Sequence, residues 1–378
     1  MIAWFYKYGF VLLLLNTILY SIPETNIYIA PTIFYFLMGT GLILLIINPS
    51  QIKDVILHRS FLFLLLINLI NLLYFIFFED VFNQQSLEFL MARFVQFFII
   101  SLSVYHNYDY YKNRFPSLLV KIIAFVIIIS LVVNPDLFSD RYHGIIWNPN
   151  MLASLSFISF SFLFLKTKTK TTLDIFLLIL FFIVSIATGS ALALLMIVCV
   201  FIFKFGFSIR NMIYGIMGLS LLFVVSNADL KTSFNRVSFD KIYRTSQISL
   251  AIENLNEKLW FGYGLSVYDG NIVESKIREK YEEWHMASHN GYLSLLLQYG
   301  LIVGSLVIII IFRKSGILFL HFFRKERSYN IYLFIIFVTF VATFFESLIT
   351  GINEFQTLLF WFSLSYLSYS KYLQDYEN

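Results

Sequence analysis

The stretch Ser117–Val133, SLLVKIIAFVIIISLVV, is apolar apart from Lys121 and two serines. A helix that crosses a bilayer needs about 20 mostly apolar residues. Similar runs recur along the 378-residue chain, of which 59% is hydrophobic and 13% charged, with a mean hydropathy of +0.76. Soluble domains carry about 25% charged residues. The composition therefore excludes a soluble enzyme, a secreted domain and a nucleic-acid-binding module, and membrane lipid is expected around most of the chain.

The apolar runs predict an all-α polytopic membrane protein with about 12 transmembrane helices and one large, partly helical extracytoplasmic loop. Residues 1–226 are expected to form an N-terminal bundle of about nine helices, 227–288 the loop, and 289–378 about three C-terminal helices. The predicted spans are 4–22, 27–47, 61–78, 87–105, 117–133, 150–165, 172–188, 190–205, 210–226, 289–312, 331–350 and 354–370.

Lysines and arginines concentrate in alternate connections between these spans, and such connections face the cytoplasm. The basic set includes Lys53, Arg59, Lys112, Arg114, Lys166, Lys170, Arg313 and Lys314. The other connections are short and mostly acidic, with Glu24, Glu79, Asp80, Asp136 and Asp140. We therefore expect both termini in the cytoplasm and the long loop on the outer side.

The long loop mixes both charge signs and also carries apolar side chains. Ser249–Trp260, SLAIENLNEKLW, has a partly amphipathic helical pattern. Residues 274–284 form a second, charged helix-favouring run, and Gly262 and Gly264 indicate a turn between the two. An ordered loop is favoured over a solvated linker.

Two ionisable side chains fall inside predicted spans, where such groups are rare and usually functional. Arg93 is placed about 9 Å below the outer end of span 87–105, and Glu346 about 6 Å below the outer end of span 331–350. Both therefore lie on the side of the long loop. The alternative is that Arg93 snorkels and Glu346 only pairs with it or with solvent.

The stretch 288–304, SHNGYLSLLLQYGLIVG, is the sharpest local pattern in the chain. Ser288 is a good N-cap, which would place His289 in the first turn of a helix at the outer surface. The helix dipole disfavours imidazolium there, and a neutral imidazole can act as a general base. Gly300 and Gly304 have the spacing of a helix-packing pair. The alternative is an interfacial histidine beside a packing helix.

Metal and cofactor chemistry is not expected. His285 and His289 have zinc-ligand spacing, but Met286 stands where a metalloprotease helix needs glutamate. The chain has neither a clustered set of aspartates for magnesium nor a phosphate-binding Gly-x-x-x-x-Gly-Lys loop. The single cysteine, Cys199, excludes an intramolecular disulfide.

His289-Asn290, followed by Leu293 and by Gly300-Leu301-Ile302-Val303-Gly304, resembles the signature of the O-antigen polymerase and O-antigen ligase superfamily. Arg244, followed by the Gly-x-Gly passage at 259–264, is similar to a segment of that family's large periplasmic loop. Arg141-Tyr142-His143-Gly144 and Asn148-Pro149-Asn150 resemble the segment that opens one of its spans. The resemblance covers residues 140–312.

The chain departs from the family at one position. Many members carry Ser-Arg at the start of a span in the middle of the chain, whereas here Ser190 is followed by Ala191. If that arginine contacts a phosphate, Arg141, Arg93 or Arg236 must replace it.

The resemblance implies an enzyme of the bacterial inner membrane that transfers glycans from an undecaprenyl-diphosphate carrier at the periplasmic face, without metal or cofactor. His289 is then the expected base, and Arg244 is the first choice for the diphosphate, ahead of Arg141 and Arg236. Arginine suits this task because it makes charge-assisted, bidentate contacts with phosphate. The other expected substrate contacts are Asn290, Arg93 and Glu346.

Three functions remain open on these grounds. A repeat-unit polymerase for O-antigen or capsular polysaccharide is favoured, and it would use lipid-linked oligosaccharides as donor and acceptor. An O-antigen ligase, which joins glycan to lipid A core, would share the chemistry. A polysaccharide flippase would require internal repeats, which the sequence does not show. A chain-length regulator and a flippase are the expected protein partners.

Overall fold

The computed structural model describes residues 2–79, 83–138, 141–167, 169–206, 208–211, 213–215, 217, 247–268, 289–323 and 327–377. Within these ranges the regular structure is helical and no strand occurs. Residues 247–257 are helical, as their pattern predicts. Residues 209–211 and 213–215 are helical too. The α-helices numbered here are α1 Ile2–Tyr20, α2 Pro23–Asn26, α3 Ile29–Ile47, α4 Pro49–Ile56, α5 Leu62–Phe78, α6 Gln84–His106, α7 Tyr108–Asn113, α8 Phe115–Val133, α9 Pro149–Leu165, α10 Thr172–Ala187, α11 Ala191–Phe205, α12 Gly291–Phe322, α13 Asn330–Ala342 and α14 Phe355–Glu377.

Five of these helices (α1, α3, α6, α8 and α12) are long and apolar enough to cross a membrane. The predicted spans 61–78, 150–165, 172–188, 190–205 and 331–350 correspond to the shorter apolar helices α5, α9, α10, α11 and α13. The span at 354–370 coincides with α14, and most of 210–226 lies outside the described residues. The described part of the chain is thus all-helical, and its apolar helices are consistent with a membrane protein.

Local sequence signals set the helix ends. Pro49 and Pro149 stand in the first turns of α4 and α9, where a missing backbone N–H costs nothing. The three residues 188–190 separate α10 from α11. Gly189 there has a φ of 61°, and the Ser190 hydroxyl accepts a hydrogen bond from the Ala193 amide at 3.4 Å.

Helix α6 lies at the centre of the bundle. It packs against α1, α3, α5 and α14, and most of its residues are buried. A second group forms where α9 packs against α10, α11 and α13. Phe97 of α6 contacts Trp361 of α14, and Tyr105 contacts Tyr369, so these two helices run in the same direction.

The predicted span 289–312 is wrong as one continuous helix, because the chain reverses at Gly300. Gly300 has a φ of 72° and a ψ of 178°. The rings of Tyr292 and Phe312 lie 6.0 Å apart, although a straight helix would separate them by about 30 Å. A Cβ on Gly304 would lie 3.0 Å from the Leu295 carbonyl oxygen. Residues 291–299 (α12a) therefore lie antiparallel to the start of 301–322 (α12b).

Residues 259–264, from the region predicted to form the long loop, lock this reversal. The Leu301 amide donates to the Leu259 carbonyl at 2.7 Å, and the amides of Tyr263 and Gly264 donate to carbonyls at the end of α12a at 2.7 and 3.0 Å. A Cβ on Gly300 would lie 2.2 Å from the Trp260 carbonyl oxygen. Gly300 is thus required for the turn and the loop contact, not for the helix-packing pair that its spacing from Gly304 predicts.

The predicted span 331–350 is also shorter than expected, because α13 ends at Ala342. Residues 343–354 form a non-helical connection to α14. Glu346 therefore lies in this connection, outside any helix.

Replacing Gly300 with alanine is expected to destabilise the protein strongly. A side chain there must adopt a left-handed backbone conformation, which costs about 1–3 kcal/mol, and its Cβ would also overlap Trp260. Thermal unfolding of the purified protein in detergent measures the effect. Gly316→Ala in α12b is the control, because nothing lies within 4 Å of its added Cβ. Equal melting temperatures for the two variants would contradict the reversal.

Candidate functional site

Three distant parts of the chain meet at the start of α12a. They are the segment 141–150 that leads into α9, the residues 289–291 that open α12a, and the connection 343–354. The amide of Gly291 donates to the carbonyls of Thr343 and Glu346 at 2.8 and 3.1 Å. Helix α12a therefore begins directly on the α13–α14 connection.

The Glu346 carboxylate bridges two of these parts. Its Oε1 accepts a hydrogen bond from Asn150 Nδ2 at 3.2 Å, and its Oε2 lies 3.4 Å from His289 Nδ1. Its side chain is 25% exposed and that of His289 is 48% exposed. The carboxylate can hold the imidazole through Nδ1, which leaves Nε2 for proton transfer.

The structure changes the expected position of His289. Asn290 is the N-cap of α12a, and its side chain accepts hydrogen bonds from the amides of Tyr292 and Leu293, both at 3.1 Å. His289 therefore precedes the helix with a φ of 38° and does not stand in its first turn. Ser288, the expected cap, lies outside the described residues.

Arg141 joins the same contact series. Its Nη2 donates to Asn150 Oδ1 at 2.6 Å, and its Nε donates to the Thr188 carbonyl at 3.2 Å. The α10–α11 turn therefore holds the guanidinium through Thr188, three residues before Ala191.

Of the remaining predicted site residues, Arg93 and Asn290 contact the 343–354 connection, and two others lie outside the described residues. Arg93 is 3% exposed, and its guanidinium donates to backbone carbonyls of the 343–354 connection. The Asn290 amide donates from Nδ2 to the Phe344 carbonyl at 3.4 Å. Arg244 and Arg236 lie outside the described residues.

Metal ligands are not grouped in the part of the chain that the structure describes. Within that part, no three His, Cys, Asp or Glu side chains lie close enough together to hold a metal ion. His285, the other half of the zinc-like spacing, lies outside it.

Asn150 is the connecting residue that sequence reasoning missed. Its side-chain amide accepts a hydrogen bond from Arg141 and donates one to Glu346. The position of the guanidinium is therefore linked to that of the carboxylate. The signal was present in Asn148-Pro149-Asn150, since Asn148 and Pro149 start α9 and leave Asn150 in its first turn.

Comparison with known proteins gives no match. No protein-family model matches the chain, and no curated protein matches it either. The resemblance to O-antigen polymerases and ligases therefore stands on the motifs alone. Of these, 141–150 and 289–291 meet at Glu346, and 259–264 docks beside Gly300.

Removing the Asn290 side chain is expected to lower stability. Asn290→Ala leaves two amides of α12a without their cap, which costs about 1 kcal/mol, whereas Asn290→Asp keeps the acceptor. The same substitution at Asn107 is a matched control, because Asn107 precedes α7 without a capping side-chain hydrogen bond. Thermal unfolding compares the variants, and an equal effect at both asparagines would contradict the cap.

Proposed function

We propose that this protein is a polymerase of O-antigen or capsular repeat units, acting at the outer face of the bacterial inner membrane. It moves a growing glycan from undecaprenyl diphosphate to the next lipid-linked repeat unit. The observation that carries the proposal is the contact series Arg141–Asn150–Glu346–His289. This series combines a cation for a diphosphate with a carboxylate-oriented imidazole for an alcohol.

The reaction forms one bond and breaks one. A hydroxyl oxygen of the acceptor sugar attacks the anomeric carbon of the donor glycan, and the bond between that carbon and the diphosphate oxygen breaks. The hydroxyl proton goes to His289 Nε2, and undecaprenyl diphosphate leaves with the bonding electron pair. The donor is already activated, so the chemistry needs no nucleotide.

Each residue of the series has a defined role in this scheme. His289 is the general base, and Glu346 fixes the orientation of its ring and stabilises the imidazolium that forms. Arg141 binds the diphosphate, where its contacts strengthen as negative charge develops on the leaving group. Arg244 and Arg236, from the long loop, are proposed as additional phosphate ligands.

The location of the series agrees with a lipid-borne substrate. It lies at the N-terminal ends of α9 and α12a and beyond the C-terminal end of α13. In the orientation favoured by the basic connections, the ends of α9 and α13 face outward, and α12a begins below the Gly300 turn because it runs antiparallel to α12b. A prenyl chain can then remain in the bilayer while its diphosphate reaches the series from the outer side.

Replacing His289 with alanine is expected to lower glycan extension about 10²–10⁴-fold, because a general base contributes that much. Glu346→Gln is expected to lower it less, since the base stays in place but loses its anionic partner. The assay measures polymer formed by purified protein from lipid-linked repeat units. His321→Ala is the matched control, because His321 bonds to Gln374 near the far end of α12b. A fully active His289→Ala variant would remove His289 as the base.

The surface glycan of a deletion strain distinguishes the polymerase from its alternatives. A polymerase is confirmed if lipid A core carries one repeat unit and no long chains. Complete polymer that remains on the carrier lipid would instead identify a ligase. Repeat units trapped on the cytoplasmic face would identify a flippase and contradict glycosyl transfer by this chain.

A further inference from the structure

Arg93 is a buried cation in the middle of helix α6. Its side chain is 3% exposed, and three aromatic rings surround the guanidinium, with Cζ 5.5 Å from the ring centres of Phe89 and Phe97 and 6.0 Å from that of Trp361. Removing a charge from water is costly unless strong hydrogen bonds compensate. The partners of this guanidinium therefore indicate why it is there.

The partners of Nη2 are consecutive backbone carbonyls of the 343–354 connection, and Nη1 donates to Gln96 Oε1 at 3.5 Å. Arg93 Nη2 donates to the carbonyl oxygens of Ile349 at 3.4 Å, of Thr350, and of Gly351 at 3.0 Å. One turn along α6, Gln96 donates from Nε2 to the Ile352 carbonyl. Two side chains of α6 thus hold four successive carbonyls of a segment that has no helix of its own.

The opposite side of the same connection carries the candidate site. Glu346 precedes Ile349 by three residues, and Gly291 donates to the Glu346 carbonyl. A Cβ on Gly291 would lie 2.2 Å from the Leu348 carbonyl oxygen, so α12a and the connection are in close contact. A shift of the connection would therefore change the position of Glu346 relative to His289.

The backbone of the connection is strained at the point where Arg93 holds it. Ile349 has a φ of 79°, a conformation that is unfavourable for a β-branched residue and costs about 1–3 kcal/mol. The Ile349 amide is held by the Thr357 hydroxyl at 3.3 Å, and its carbonyl is held by Arg93. Without the guanidinium, relaxation of Ile349 would move the segment that includes Glu346.

We infer that Arg93 is a positioning residue, which clamps the 343–354 connection and thereby fixes Glu346 against His289. This role differs from the substrate contact that its place in the sequence predicts. A diphosphate ligand needs donors that reach the substrate, whereas Arg93 Nη2 donates to the backbone of the connection and Nη1 to the Gln96 side chain. The effect on catalysis rests on the proposed function, but the clamp itself does not.

Spin-label distances test the clamp without any substrate. The labels are attached at Phe344→Cys in the connection and Phe125→Cys in α8, both of which replace exposed side chains, in a Cys199→Ser chain that has no other cysteine. Arg93→Gln is expected to broaden the distance distribution. Arg93→Lys is expected to broaden it less, because an ammonium group still donates to carbonyls.

Two further variants keep this test decisive. Gln96→Leu removes the Ile352 contact and the side-chain oxygen that accepts from Arg93 Nη1, and it is expected to broaden the distribution if Arg93→Gln does not fold. Arg114→Gln removes an exposed arginine between α7 and α8 and is expected to leave the distance distribution unchanged. An unchanged distribution in Arg93→Gln, or in Gln96→Leu where Arg93→Gln does not fold, would overturn the inference.

Kinetics separate positioning from substrate binding. Arg93→Gln is expected to lower kcat about 10²-fold, the effect of a misplacement near 1 Å, with little change in KM. A raised KM with unchanged kcat would assign Arg93 to the substrate and overturn the inference. A wild-type protein that extends no lipid-linked glycan would contradict the proposed function, while the spin-label distances would still decide the clamp.

Discussion

The Glu346 carboxylate is the contact on which the candidate site depends. It accepts from Asn150 and lies against His289, so one side chain links the start of α9 to the start of α12a. Arg141 extends the series through Asn150 to the α10–α11 turn. Because each member is held by the next, a change at one end alters the geometry at the other. The proposed roles of cation, orienting carboxylate and base all follow from this arrangement.

The membrane environment explains why several polar side chains form hydrogen bonds with backbone carbonyls. Non-helical chain inside a bundle must have its N–H and C=O groups paired by protein, because lipid offers no partner. Arg93 and Gln96 do this for the 343–354 connection, and the 259–264 segment does it for the end of α12a. Each of these two sets of hydrogen bonds stabilises a non-helical segment close to the site. Such segments add backbone and side-chain groups near the helix ends to those that the helices themselves supply.

Sequence patterns predicted the helical character well, since apolar runs mark most of the helices and prolines stand near the ends of several of them. The same patterns missed the reversal at Gly300 and the early end of α13 at Ala342. Residues around both points are apolar, and hydropathy does not distinguish a crossing helix from one that turns back. The reversal depends on backbone bonds from 259–264, a segment distant in sequence from Gly300. No local pattern contains that information.

The sequence analysis named several of the residues that meet at the start of α12a, but not the contacts between them. His289, Glu346 and Arg141 were each expected at the outer side, yet the bridge through Asn150 and the backbone role of Arg93 depend on contacts between distant segments. An exposed histidine beside a helix start has no sequence feature that identifies its carboxylate partner. Three-dimensional placement supplies this information: it sets Glu346 against His289, the contact for which we propose an orienting role.

An electron cryo-microscopy structure of the protein with undecaprenyl diphosphate tests the central claim most directly. The account predicts phosphate density within hydrogen-bond distance of the Arg141 guanidinium, with the His289–Glu346 pair beside it. It also predicts that the prenyl chain leaves this density toward the bilayer. Phosphate density at the opposite end of the bundle, or away from Arg141 and His289, would contradict the account.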